Sequence, residues 1–133
     1  MKISSTKAWL IGVALLLLAQ VVWFGLLATG MFSRTAGILM LSAPGAAGFI
    51  TAYLAPKRKI LLGVSLAFPG AMIVSMVNWA YEAAGHAVDF SGIRGLVDLS
   101  VLTFLQDLVL CLIGASVAWF TVRIGVSRSG HVE

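Results

Sequence analysis

The chain has 133 residues, enough for one compact unit, of which 60% are apolar and only 11% charged. A soluble domain carries roughly 45–50% and about 25%, so a soluble surface is excluded and the surplus apolar surface has to face lipid. The formal net charge of +4 does not point to nucleic acid, because the basic residues gather at the ends of apolar runs, where membrane proteins place their anchors.

Four apolar runs predict four transmembrane helices, over 8–28, 35–55, 60–80 and 99–122. Each covers at least ~30 Å at a rise of about 1.5 Å per residue, enough for a hydrocarbon core. Backbone groups in lipid have to be satisfied within the segment, so the runs are read as helices. The first run, Ala8 to Ala28, follows Lys2 and Lys7 as a signal sequence would. Its 21 residues exceed the ~7–15 of a signal core, so it is read as a retained span. Ser33 and Arg34 mark a short turn before the second run. Pro56-Lys57-Arg58-Lys59 separates the second from the third and is the only run of like charges. The connection from Tyr81 to Asp98 is the longest loop and holds Gly85, Ser91, Gly92 and Gly95, so a stable helix throughout it is not expected. The tail from Ser127 is expected to fray.

The positive-inside rule gives the orientation. Lys2, Lys7, Lys57, Arg58, Lys59, Arg123 and Arg128 fall on one side, and only Arg34 and Arg94 on the other. The expectation is an all-α integral membrane protein, a four-transmembrane-helix bundle running up-down-up-down with both termini cytoplasmic. Its place would be the plasma membrane, the inner membrane in a bacterium.

Asp107 is the only charged residue between Leu99 and Val122. A carboxylate at depth costs about 2.5–3.5 kcal/mol on insertion scales. A partner, a water-filled cavity or protonation has to offset that. Helical spacing puts Asp107 on a stripe with Ser100, Thr103, Cys111, Gly114 and Ala118, all small or polar. The opposite stripe carries Leu102, Leu105, Leu108, Val109, Leu112, Ile113 and Phe120, which suits lipid. Asp107 is therefore expected to face other helices. By depth, Gln20, Ser75, Asn78 and Thr103 are candidates to share a polar site with it. A separate hydrogen bond for each is the plainer alternative.

Pro44-Gly45 and Pro69-Gly70 lie at similar distances from the basic turn. Proline deletes a helical hydrogen bond and clashes with the carbonyl four residues back, so both pairs predict kinks. Paired interruptions at matching depth point to transporter sites, although Gly and Pro are common in membrane helices. The run Ser42 to Gly48 is uniformly small and predicts a central helix that others approach closely. Glu82, His86 and Asp89 share a helical spacing, but one histidine with two acids is a weak metal signal, and no metal or cofactor is expected. P-loop, GxSxG, CxxC and HExxH motifs are absent from the sequence. Lys57, Arg58 and Lys59 are topology determinants.

The expectation for function is a non-enzymatic accessory or scaffold protein acting through helix–helix contacts. Its partners would be the lipid bilayer and a second copy or another membrane protein. The alternative is a small oligomeric transporter or channel with Asp107 as the coupling carboxylate.

Overall fold

The computed structural model describes residues 3–129. Lys2, the Arg128 side chain and tail residues 130–133 lie outside the described residues. All regular structure among the described residues is helical. The first span is α1 (Ser5–Ala28), the second joins α2 (Arg34–Leu41) to α3 (Ala43–Leu54), the third joins α4 (Lys59–Val64) to α5 (Ala67–Ala83), and the fourth is α6 (Gly92–Ser129). All four are long and apolar enough to cross a membrane.

Serines set two of the starts. The Ser4 hydroxyl accepts from the Lys7 amide at 3.3 Å, and the Ser33 hydroxyl from the Ala36 amide at 3.2 Å. Each satisfies an amide that has no partner inside the helix, so α1 starts three residues earlier than its apolar run. A larger correction concerns the connection expected over Tyr81–Asp98. α5 runs on to Ala83 and α6 begins at Gly92, leaving only residues 84–91 between them. Gly92 takes φ +67°, a conformation glycine adopts without strain, so it opens the helix. Gly95 packs against the Phe90 backbone, where a side chain would not fit. Both glycines, read as breakers, support the start of α6. Helical backbone also extends to Ser129, past the point where fraying was expected.

The second and third spans are each interrupted by a short turn, with the backbone there staying in the right-handed helical region. The break in the second falls at Ser42, two residues before Pro44; that in the third falls at Ser65–Leu66, ahead of Pro69. Each proline then sits in the first turn of the next helix, where a missing amide costs no bond.

Packing places the spans in the cyclic order first, second, fourth, third. α6 lies against α3, α4 and α5, while α1 lies against α3 and α5. The first and fourth spans thus occupy opposite corners. The second and third touch mainly through α3 and α4, beside their shared turn. α2 rests only lightly on α1 and α3.

The core is built of small residues: Ala47, Ala52, Ala55, Ala67, Ala115 and Ala118 are buried, with Leu16 and Leu66 among them. A Cβ built on Gly48 would stand 2.7–2.8 Å from the Cys111 backbone, and one on Gly114 would overlap the Gly45 carbonyl. Close backbone approach of this kind holds membrane helices together by dispersion. Thr51, fully buried, donates to the Ala8 carbonyl at 3.4 Å and ties α3 to α1.

Candidate functional site

The two breaks and the cyclic order create a cavity. The second and third spans converge at the basic turn and separate toward the other end, here termed the loop end. Between them lies a half-open cavity of about 520 Å³. α1 lines one side with Gln20, Trp23 and Phe24; α6 lines the other with Thr103, Gln106 and Asp107. Pro44 and Met40 border it from the second span, Asn78 and Tyr81 from α5, and Asp89 and Phe90 from the connection.

Asp107 is 2% exposed and is one of the residues that line this cavity. It occupies a notch left by Gly70, since a Cβ on Gly70 would overlap Oδ2. Leu16 Cδ1 reaches to 3.5 Å of the same point. The glycine of the Pro69-Gly70 pair therefore does more than follow a proline: it makes room for the acid. Among the described residues no side chain hydrogen-bonds or ion-pairs with the Asp107 carboxyl. One turn further on, the Cys111 thiol donates to the Pro44 carbonyl at 3.2 Å, so α6 meets both proline regions with neighbouring turns. The inward face of α6 follows the spacing read from sequence. Asp107, Cys111, Gly114 and Ala118 are buried and Ser100 and Thr103 half-buried, while Leu102, Leu105, Val109, Leu112, Ile113 and Phe120 are exposed; Leu108, expected to face lipid, is half-buried.

Four of the five polar candidates, Gln20, Asn78, Thr103 and Asp107, line the one cavity. Ser75 does not. Its hydroxyl pairs with that of Ser100 and with the Ala71 carbonyl, bracing α5 on α6 outside the lining. Asn78, 4% exposed, also has a bracing role: its Nδ2 donates to the Phe90 carbonyl at 2.8 Å and pins the connection over the cavity. Sequence reasoning missed Gln106 and the aromatic wall. Trp23 meets Phe32 edge-on at 5.0 Å, and Phe24 meets Tyr81 at 5.2 Å. The signal was present in the aromatic residues near the loop end of α1, but only packing shows that they face inward.

His86 stacks on Tyr81 at 4.3 Å. Among the described residues, no three His, Cys, Asp or Glu side chains come together as metal ligands. The basic turn divides in role. Lys59 Nζ donates to the carbonyls of Ala52 and Tyr53 at 3.2 Å each, and to that of Ala55. It caps the C-terminus of α3, where a cation also suits the helix dipole. Lys57 and Arg58 remain exposed. At the same end Trp9 Nε1 donates to the Ser65 hydroxyl at 3.1 Å, joining α1 to the third-span break.

The fold and the site define an all-helical multi-pass chain with a buried acid at the floor of a cavity at one end. Compared with protein-family models, curated proteins and solved structures, it matches none.

Proposed function

We propose that this is a small, non-enzymatic transporter of the plasma membrane, with the loop-end cavity as its solute vestibule and Asp107 as its coupling carboxylate. The observation that carries the reading is Asp107 itself, 2% exposed, unpaired and bordering a cavity of about 520 Å³. An intramembrane acid is expensive and marks ion or proton pathways. A lone carboxylate holds either a proton or a cationic solute, so occupation by one expels the other. In this reading both termini are cytoplasmic, because the sequence assigns seven basic residues to one side of the four spans and two to the other. The cavity then opens outward.

A second reading, an accessory protein that acts through helix contacts, has its own support. The basic half is closed: Ala8, Ala55, Leu66, Ala115 and Ala118 are essentially fully buried there. Reconstitution into vesicles with a pH-sensitive dye separates the two. Transport predicts proton movement by the wild type that Asp107→Asn removes while helix content by circular dichroism is unchanged. Equal flux in that variant sinks the coupling role, and no flux in the wild type favours the accessory reading. Native mass in nanodiscs tests the expected homo-oligomer.

A further inference from the structure

We infer that the solute class of the loop-end cavity is a monovalent organic cation with an aromatic or aliphatic body, its ammonium held at Asp107 and its body against Trp23, Phe24, Tyr81 and Phe90. The inference rests on the vestibule reading above and adds the chemistry of what enters. Three observations converge on it. First, Asp107 is buried to 2% exposure at the cavity wall, with no hydrogen bond or ion pair from any described residue. A carboxylate in that position lacks a counter-charge, and a cationic guest supplies one. Second, the same lining carries aromatic rings from α1, α5 and the connection. Such rings take up the aromatic or aliphatic body of a guest whose ammonium lies at Asp107. Third, the volume of about 520 Å³ falls in the range of small-molecule sites and far exceeds a bare metal ion.

An inorganic cation fits poorly, since hard cations take six or more oxygen ligands. Asp107 and Asp89 are the only acids of the lining, and among the described residues no three His, Cys, Asp or Glu side chains come together as ligands. A neutral solute would leave the acid unpaired, and an anion would meet it with like charge. Asp89 is exposed on the connection and borders the same cavity, so the entrance carries the same sign as the floor.

Equilibrium dialysis of the full chain in zwitterionic nanodiscs, corrected by empty discs, tests this with three probes of one shape: phenethylammonium, 2-phenylethanol and phenylacetate. The expected result is saturable binding of phenethylammonium alone. Asp107→Asn should weaken it at least tenfold, and Trp23→Leu, which removes a ring against the body, by about three- to tenfold. Equal binding of the neutral or anionic probe overturns the inference. So does phenethylammonium binding that both variants leave unchanged, or the absence of saturable binding. The Trp23→Leu arm stands if the Asp107 variant fails to fold. Proton flux that depends on Asp107, without phenethylammonium binding, would overturn the solute class and leave the coupling role standing. Binding without flux would do the reverse.

Discussion

Gly70 and Asp107 form the tightest residue-scale coupling in the molecule. The carboxyl fills the space a Cβ would need. Gly70→Ala therefore forces the acid to swing out of its notch or α5 to step back from α6. Overpacking of this kind costs about 1–3 kcal/mol. The expected result is a lower thermal midpoint in detergent together with impaired function. Gly25 is the matched control, exposed on α1 with nothing within 4 Å of a built Cβ. Gly25→Ala should be neutral, or stabilising by up to about 1 kcal/mol through helix propensity. Composition does not distinguish these two glycines; only their neighbours do. Lys59 makes the same point for charge. It reads in the sequence as one of three equivalent basic residues, yet it alone reaches back to the α3 carbonyls.

Among the elements, α3 on α6 is the contact that organises the rest. Gly114 lies against the Gly45 carbonyl and Gly48 against the Cys111 backbone. Neither obstacle is the end of a flexible side chain, so an added methyl has to push two helices apart. Gly114→Ala should therefore cost at or above the top of the ~1–3 kcal/mol overpacking range. The midpoint loss should exceed that of Gly70→Ala in the same detergent. The sequence already indicated a central, thin helix through its run of small residues, because small side chains are what close helix approach requires. Which glycine meets which carbonyl depends on the rotation of both helices.

Across the whole molecule, the cyclic order of the spans decides where solvent reaches. Spans joined by a short turn stay together near that turn, and the breaks ahead of Pro44 and Pro69 let them part beyond it. Accessibility should therefore be polarised. In a Cys111→Ala background, Thr103→Cys, on the cavity wall, should react with a hydrophilic maleimide added from the loop end. Ala118→Cys, in the closed half, should react from neither side. Labelling of both at similar rates would show that the basic half is open.

What the sequence determined by itself were the features governed by local chemistry. Four runs are helical and long and apolar enough to cross a membrane, where lipid would leave their backbone no other partner. The inward stripe of α6 follows from its 3.6-residue period, and the interruptions follow from two prolines that cannot donate. Near Gly92 local reasoning failed, because a glycine that breaks one helix also starts the next. The tertiary structure decided the features that join residues distant in the chain. It diverted Ser75 to Ser100, gave Asp107 its notch at Gly70, turned the aromatic residues of α1 inward and set the first and fourth spans at opposite corners. Each of these depends on how helices tilt and rotate against one another. Close packing between spans fixes those angles, and no single segment encodes them.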